Sequence, residues 1–373
     1  MKVFSENDDK AARKSILIAP LDWGLGHAAR CIPIIKELQH YPFRIIIAGD
    51  GAVAAMLKQE FPQLEIIPLP GYKIKYSKNR QWFLLRLMIQ FPGVLYSVLR
   101  EHRWLNKVKQ ELNLCAVISD NRFGLFNRYI PSFYITHQLS IKTGNQLSDK
   151  IATLIHRKIS KNYTQCWIPD FGIKINLAGD LSKTVKLRRS DIYMGCLSRF
   201  DKKGTSEITV DLLIILSGPE PQRTIFENLL LSQLKEYDGV VVFVRGLPGG
   251  NFIAPEISSN ANINMKNHLT ASELNNAIEH SSIVISRSGY TSIMDLTKLG
   301  KKAILVPTPG QTEQEYLAEY LSGQKFFYTV PQEKFVLKNA LKEADDFTYN
   351  IPSFDMSLYK TVIKQFVESL LKN

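Results

Sequence analysis

The sequence has few cysteines and no long apolar run. Its 373 residues contain four cysteines, which lie far apart and form no CxxC pair. A zinc site or a dithiol redox motif is therefore not expected, and free thiols in a reducing compartment are the simpler interpretation. No uninterrupted apolar run reaches the ~18 residues of a membrane-spanning helix. The polar N-terminus does not resemble a signal peptide, so we expect a cytoplasmic protein or one that binds the inner face of a membrane peripherally.

Acidic residues are also scarce relative to basic ones. The chain has 47 Lys and Arg against 35 Asp and Glu, a formal net charge of +12. Residues 71–110 hold nine basic residues and one acidic residue, and residues 181–204 hold seven and two. Such a balance suits anionic lipid or a phosphorylated substrate. A basic patch alone is weak support for nucleic-acid binding, so no nucleic acid is predicted as a partner.

The basic segment 71–110 is also rich in large apolar side chains. They are Trp82, Phe83, Leu84, Leu85, Leu87, Met88, Ile89 and Phe91. Apolar bulk with aromatic anchors and a cationic fringe is typical of interfacial helices, which predicts contact with an anionic membrane surface. The alternative is a core helix with a solvated basic face. Pro92 is expected to break the helix.

Both halves of the chain alternate short apolar runs with helical periods, which favours parallel strands in βα units. The first half has the runs KSILIAP, FRIIIAG, LEIIPL, LCAVISD, SFYITH and CWIPD, and the second has VDLLIILSG, GVVVFVRG, NINMK, SSIVIS and KAILVP. Residues 183–207 lose this periodicity and are interpreted as a linker. The predicted class is α/β, with two Rossmann-like domains facing across a cleft. The predicted domains are 1–198 and 199–350, followed by a helix in 351–373. Its apolar face suits either domain, and we expect it to pack back on the N-terminal one.

Residues 286–316 carry the strongest functional signal. The run SSIVIS ends at a short turn, Arg287, Ser288 and Gly289, and a helix follows at once. A helix that begins this way exposes backbone N–H groups and the positive end of its dipole, which suits a phosphate. Together with the hydroxyl-binding groups after the next strand, this site suits a nucleotide-activated sugar, which would be the donor of a transfer reaction. The candidate donor-binding residues are Arg287, Ser288, Gly289, Tyr290, Thr291, Asp295, Gln314 and Glu315. A second strand-end turn adds Ser217 and Gly218, with Arg223 as a further cation.

The first strand is followed by a glycine-rich loop, PLDWGLGH. Gly24 and Gly26 allow the backbone close to an acceptor, but the loop lacks the GxGxxG pattern, so a nicotinamide cofactor is weakly supported. His27 follows at the helix start, where a neutral imidazole can take a proton from a hydroxyl. The alternative is that His27 only caps the helix.

Asp120 ends the strand LCAVISD and is the candidate partner that orients His27. The alternative is that Asp120 caps the next turn or pairs with Arg122. His137 follows SFYITH and is predicted either to contact the acceptor or to be structural. Thr270 and Glu273 have the spacing of a helix capping box.

The segment SRSGYTSIMDLTKLGKKAILVPTPGQTEQEYLAEYL resembles the donor-binding part of glycosyltransferase family 28. The resemblance is specific over about 211–330 and looser in the loop around His27. It implies a GT-B fold, an NDP-sugar donor that is usually UDP-linked, inversion at the anomeric carbon, and neither a metal nor a cofactor. It places Ser288 to Thr291 on the diphosphate, Asp295 where the family has a Glu on the ribose, and Gln314 and Glu315 on the sugar.

The resemblance therefore implies an acceptor-binding domain at 1–198 and a nucleotide-sugar-binding domain at 199–350. The expected function is transfer of a hexose or N-acetylhexosamine from a UDP-sugar to an acceptor hydroxyl, carried on a lipid in many relatives. Two alternatives stay open. One is a sugar-nucleotide epimerase of the same architecture, and the other is a non-catalytic nucleotide-sugar-binding protein at a membrane surface.

Overall fold

The computed structural model describes residues 13–72, 83–172, 174–184, 186–204, 207–248 and 262–372, with the backbone alone for 83–91. Trp82 and all four basic residues of 71–82 lie outside these ranges, as do the side chains of Phe83 to Phe91. The chain divides into two compact units. The first comprises Met1–Leu197 and Asp355–Asn373, and the second comprises Ser198–Phe354.

The first unit contains a sheet of seven strands whose pairs are all parallel. The strands, in chain order from β1 to β7, are Ser15–Pro20, Arg44–Gly49, Glu65–Pro68, Leu114–Asp120, Ser132–Ile135, Gln165–Ile168 and Asp191–Tyr193. Their order across the sheet is β3-β2-β1-β4-β5-β6-β7. The apolar runs become the central strands because both faces are covered, and every residue of β1 is buried.

Helices of the first unit pack on this sheet. They are α1 Leu25–Leu38, α2 Gly51–Glu60, α3 Phe83–Glu111 and α4 Gln146–Ser160. The expected break at Pro92 is wrong, because α3 continues through it. A proline removes one backbone hydrogen bond, and a 29-residue helix retains the others.

The second unit contains a parallel sheet of six strands, in the order β10-β9-β8-β11-β12-β13. These strands are β8 Val210–Ile215, β9 Val241–Val244, β10 Ile263–Lys266, β11 Ser281–Ser286, β12 Ala303–Leu305 and β13 Tyr328–Thr329. Its helices are α5 Gln222–Leu234, α6 Ala271–Glu279, α7 Tyr290–Leu299, α8 Thr312–Gly323 and α9 Leu337–Asp346. The capping box predicted at Thr270 and Glu273 is confirmed at the start of α6.

The last helix, α10 Leu358–Leu371, belongs to the first unit and contacts α1. Its Phe366 ring lies 4.6 Å from the ring of Phe133 and 5.4 Å from that of Trp167, centroid to centroid. The structure also differs from the prediction of a linker at residues 183–207, because β7 lies within this segment. None of the helices in the described ranges is both long and apolar enough to span a membrane.

Candidate functional site

Three turns of the second unit follow neighbouring parallel strands. Ser217 and Gly218 follow β8, Arg287 to Gly289 follow β11, and residues 307–311 follow β12. Since β11 pairs with both β8 and β12, the carboxyl ends of the three strands share one edge of the sheet. Ligands of open parallel sheets bind beyond this edge. We call these three segments the donor-side turns.

The start of α7 is open. Gly289 is its N-cap residue, and no side chain of the described residues caps the helix there. A Cβ placed on Gly289 would meet no atom within 4 Å. The first turn of α7 also contains no acidic residue. Neither a capping side chain of the described residues nor an acidic residue of the first turn therefore offsets the positive end of this helix, which suits an anion site.

Hydrogen bonds tie the start of α7 to the start of α8. The buried hydroxyl of Ser288 donates to the carbonyl of Gln314 at 2.9 Å. The side chain of Gln314 accepts from the N–H of Thr308, and that of Glu315 accepts from the N–H of Gly310, each at 2.9 Å. Gln314 and Glu315 of α8 therefore fix the conformation of the turn after β12 by accepting hydrogen bonds from its backbone.

Arg287 is buried, and its guanidinium donates to the carbonyls of Val306, Pro307 and Gln222. The same group lies 4.2 Å from the centre of the Phe226 ring. Burial lowers the pKa of Arg287 to about 10, so the side chain is charged at neutral pH. No carboxylate of the described residues forms an ion pair with it. Its positive charge is left uncompensated beside the donor-side turns.

Arg223 is placed differently. Its guanidinium binds the carboxylates of Glu220 and Glu227, at 2.6 and 2.8 Å. Glu220 lies just before α5 and Glu227 lies within it, so the charge of Arg223 is neutralised locally. The arrangement stabilises the start of α5 and does not direct this cation at the donor-side turns.

Thr308 is a residue that the sequence reasoning missed. Its side chain is buried, and its hydroxyl has no hydrogen-bond partner among the described residues. A Cβ placed on Gly218 would lie 3.8 Å from this hydroxyl, so Thr308 sits against the turn after β8. A buried hydroxyl without a partner costs free energy, which a ligand oxygen can recover. The feature of the sequence that could have identified Thr308 is its position in the turn TPGQ, directly after the strand run KAILVP.

Asp295 lies in α7 and is buried. The hydroxyl of Ser198 donates to its carboxylate at 2.6 Å, and Arg199 Nε lies 3.8 Å away. Burial raises the pKa of Asp295 to about 6, against the opposing effects of Arg199 and Ser198. The predicted ribose contact stays a prediction, and the structure adds that this carboxylate holds the first residues of the second unit.

A second cluster lies in the first unit, at the carboxyl ends of β1 and β4. Gly24, with φ of 151°, is the N-cap residue of α1, Gly26 lies in its first turn, and His27 follows. The Nδ1 atom of His27 is 3.1 Å from Asp120 Oδ1. Asp120 makes no ion pair with Arg122 in the structure, because Arg122 pairs with Glu101. The side chain of His27 thus reaches Asp120 instead of capping the helix.

Arg30 completes this cluster and was also missed. Its Nε donates to Asp120 Oδ2 at 2.5 Å, and its Nη2 donates to Oδ1 of the same carboxylate. Its Nη2 lies 2.8 Å from His27 Nδ1, and its Nη1 lies 3.3 Å from Nδ1 of the buried His137. We call His27, Arg30, Asp120 and His137 the histidine cluster. An Arg three residues after His27 lies on the same helix face, but this spacing alone does not distinguish it from a solvated cation.

The electrostatics of the histidine cluster favour a neutral imidazole. Burial lowers the pKa of His27, and the charge of Arg30 lowers it further, while Asp120 opposes both. Burial alone would raise the pKa of Asp120, but Arg30 and then His27 outweigh it and bring the pKa to about 2. At neutral pH Asp120 is therefore a carboxylate and His27 is uncharged, the state in which an imidazole accepts a proton.

Comparison with known proteins gives the C-terminal part of the chain a family. Residues 241–354 match the glycosyltransferase family 28 C-terminal domain. These residues are therefore similar to the donor-side domain of that family. The predicted resemblance is confirmed, and this domain contains the turns after β11 and β12.

A curated protein that resembles the chain comes from Haemophilus ducreyi. It is the UDP-N-acetylglucosamine--N-acetylmuramyl-(pentapeptide) pyrophosphoryl-undecaprenol N-acetylglucosamine transferase. It is 23% identical over 327 residues, with 85% of each chain covered.

Solved structures resemble the chain over nearly its whole length. The glycotransferase of kitacinnamycin has a TM-score of 0.62 at 15% identity, with 96% of each chain covered. The spinosyn rhamnosyltransferase SpnG complexed with thymidine diphosphate has a TM-score of 0.56 at 14% identity, also with 96% of each chain covered. At such identities the likeness concerns the fold, and the predicted GT-B fold with two Rossmann-like domains is confirmed.

Proposed function

We propose that the protein is an inverting glycosyltransferase that moves a hexose or N-acetylhexosamine from a UDP-sugar to an acceptor hydroxyl on a lipid. The observation that carries the proposal is the open start of α7 within the family 28 domain, beside the uncompensated charge of Arg287. We assign donor binding to the second unit and acceptor binding to the first. The name of the H. ducreyi relative includes a UDP-sugar donor and an undecaprenol-linked acceptor, which supports the proposed classes of donor and acceptor.

On the donor side, the diphosphate binds at the start of α7. Backbone N–H groups of the turns at Ser217–Gly218 and Ser288–Thr291 surround it, and Thr308 donates its hydroxyl. Asp295 contacts the ribose, while Gln314 and Glu315 contact the sugar. When the glycosidic bond to the diphosphate breaks, the helix start and Arg287 stabilise the negative charge that develops.

On the acceptor side, His27 takes the proton of the acceptor hydroxyl, and Asp120 holds the imidazole. The acceptor oxygen then attacks C1 of the sugar on the face opposite the leaving diphosphate, which inverts the anomeric centre. Gly24 and Gly26 let the acceptor approach the backbone, and His137 contacts it. The histidine cluster is the observation that favours transfer over simple donor binding.

We also propose that residues 71–110 contact the inner face of an anionic membrane. Within the described part of this segment, Leu95, Tyr96 and Leu99 of α3 are 50%, 64% and 48% exposed. Arg100 and Lys107 are on the same helix. Exposed apolar side chains among cations suit a lipid surface.

A panel of nucleotide sugars tests the donor assignment, because a ligand stabilises the folded state that it binds. We expect UDP-sugars to raise the melting temperature and to transfer their sugar to a lipid acceptor. Formation of an epimerised nucleotide sugar without any acceptor would instead identify an epimerase. Donor binding without transfer or hydrolysis across broad lipid extracts would identify a binding protein.

Replacement of His27 tests the catalytic assignment. We expect His27→Ala to lower kcat by roughly 10²- to 10⁴-fold, because the hydroxyl loses its general base. The stabilisation by UDP should persist, since UDP binds the second unit. His40→Ala, at an exposed histidine of the same unit, is the matched control and should retain full activity. Unchanged turnover of His27→Ala would exclude the assigned role.

A further inference from the structure

Helix α4, Gln146–Ser160, has an inverted amphipathic pattern. Four large apolar side chains point to solvent: Leu147 is 69% exposed, Ile151 51%, Leu154 69% and Ile155 45%. Their spacing of i, i+4, i+7 and i+8 puts them on one face of the helix. A surface helix of a globular protein normally turns such a face towards the core.

The opposite face of α4 is polar and contacts the first unit. The Nε2 atom of the buried His156 lies 2.9 Å from the hydroxyl of Tyr134 in β5. Thr153 accepts from the N–H of Ile141 at 2.9 Å, and Asp149 accepts from the N–H of Thr143 at 2.5 Å. These contacts fix the orientation of the helix, so its apolar side chains are held outward.

The exposed face also carries positive charge. Lys150 and Lys158 lie among the apolar side chains and are exposed. Residues 146–161 contain four basic residues and one acidic residue, Asp149, which points inward. The α4 face is defined here as Leu147, Lys150, Ile151, Leu154, Ile155 and Lys158.

A neighbouring segment extends the α4 face. Arg157 donates to the hydroxyl of Thr184 at 3.0 Å and to the carbonyl of Lys186 at 2.9 Å, which holds this segment against the end of α4. The exposed residues that follow are Lys186, Leu187 and Arg189. The neighbouring segment thus repeats the combination of an apolar side chain between two cations.

We propose that the α4 face docks on an anionic lipid surface. Apolar side chains bury in the boundary between headgroups and acyl chains, while the flanking lysines attract anionic headgroups. A second copy of the chain is a poorer occupant, because a two-fold interface would bring the same lysines of both copies together, and the chain already carries a net charge of +12. The charge complementarity therefore selects the lipid.

The position of α4 links this surface to the histidine cluster. Strand β5 provides Tyr134, which holds α4 through His156, and leads into His137, which contacts Arg30. The lipid-docking helix is therefore attached to the strand that ends in the proposed acceptor site. This link deepens the proposed function and rests on it: the acceptor hydroxyl would be carried by a lipid of the same membrane.

Vesicle flotation of the full chain, without donor or acceptor, tests the α4 face by comparing the wild type with variants of this face, all of which keep residues 71–110 unchanged. We expect binding to vesicles of phosphatidylcholine with phosphatidylglycerol and weaker binding to phosphatidylcholine alone. The double variant Leu147→Gln and Leu154→Gln should lower the partition coefficient by at least about tenfold, because two leucines no longer bury in the lipid. The pair Lys150→Glu and Lys158→Glu should weaken binding only to the anionic vesicles.

The matched control is Ile225→Gln with Val336→Gln, two exposed apolar residues of the second unit. This control should bind vesicles as the wild type does, and circular dichroism should show that every variant is folded. Wild-type protein that fails to float, or leucine variants that float equally well, would overturn the proposal. A wild-type dimer in sedimentation velocity that the leucine variants convert to monomer would assign the face to a second copy instead.

The experiment separates this proposal from the proposed function. Stabilisation by UDP-sugars without vesicles reports on the donor assignment, and flotation without donor reports on the α4 face. Loss of the first with retention of the second would remove the proposed function and keep the lipid surface, and the reverse result would do the opposite.

Discussion

Arg30 and His27 approach the same carboxylate, and this competition decides which imidazole nitrogen carries the proton. The Nη2 atom of Arg30 can only donate, so a hydrogen bond from it to His27 Nδ1 places the proton on Nε2. The contact with Asp120 instead requires a proton on Nδ1 and leaves Nε2 free to accept one. Only the second tautomer is a base at Nε2. Arg30 contacts both His27 and Asp120, so it is a positioning residue that acts on the reaction through these two side chains.

Substitution of Arg30 should change the pH dependence of the reaction. In Arg30→Gln the charge that lowers the pKa of His27 is lost, so this pKa rises and His27 becomes protonated at a higher pH. The acidic limb of the profile of kcat against pH should therefore move to higher pH. Arg30→Lys keeps the charge and should leave the limb near its wild-type position.

Stability must be followed in parallel in these variants. Removing one partner of a buried ion pair costs about 3–5 kcal/mol, so Arg30→Gln should also be less stable than Arg30→Lys in urea. A stable Arg30→Gln variant whose acidic limb matches the wild type would contradict the role of Arg30.

At the scale of single residues, the sequence could predict part of the donor-side turns and part of the histidine cluster. His27 and Asp120 were found because both follow apolar runs, and the ends of neighbouring parallel strands meet at one edge of a sheet. Arg30 and Thr308 were not found, since a cation in a helix and a hydroxyl in a turn are usually solvated. Their burial depends on tertiary packing that no local pattern records.

At the level of secondary-structure elements, a carboxylate placed at the start of α7 should raise the stability of the protein and weaken the binding of a diphosphate. Gly289→Asp is sterically allowed, because φ is −72° and the space beyond a Cβ is open. A carboxylate there should stabilise the ligand-free protein by about 0.3–1 kcal/mol through the helix dipole. The same negative charge should repel a diphosphate, so the increase in melting temperature with UDP should disappear.

Ser357→Asp is the matched control, since Ser357 is the exposed N-cap residue of α10 in the first unit. It should keep the full response to UDP, but it should bring no gain in stability, because the new carboxylate lies beside Asp355, which accepts from the Ser357 hydroxyl at 2.7 Å. If Gly289→Asp still responds to UDP as the wild type does, the diphosphate does not bind at α7.

The strands were predictable because buried parallel strands read as continuous apolar runs. The runs SSIVIS and KAILVP became β11 and β12 for this reason. Strand β7 was not predicted, since it has three residues within a basic segment and its Asp191 is neutralised by Arg188. Helix α4 was not predicted either, although its apolar residues have helical spacing, and that spacing would have directed its apolar face to the core rather than to solvent.

For the whole molecule, the chain leaves the first unit at Leu197 and returns to it at Asp355. The final helix supplies Phe366 to the core between Phe133 and Trp167. We expect Phe366→Ala to lower the free energy of unfolding by about 3–5 kcal/mol, because it leaves a cavity under the sheet. Urea denaturation measures this value.

Leu371→Ala serves as the control at the exposed end of the same helix, where Leu371 is 60% exposed. Its effect should stay within about 0.5 kcal/mol. Equal effects of the two substitutions would show that α10 contributes little to the first unit. The two domains were predicted from two series of strands. The last helix was assigned to the N-terminal domain as one of two choices, since its apolar face would fit either sheet.

This return of the chain reverses the usual order of folding during synthesis. Domains generally fold as units while the ribosome is still at work, beginning with the N-terminal one. Here residues 198–354 emerge in full before α10 does, so the later-encoded unit is complete first. The nascent first unit must wait for its last fourteen-residue helix with an apolar groove uncovered, which makes that interval the moment when a chaperone has the most to bind.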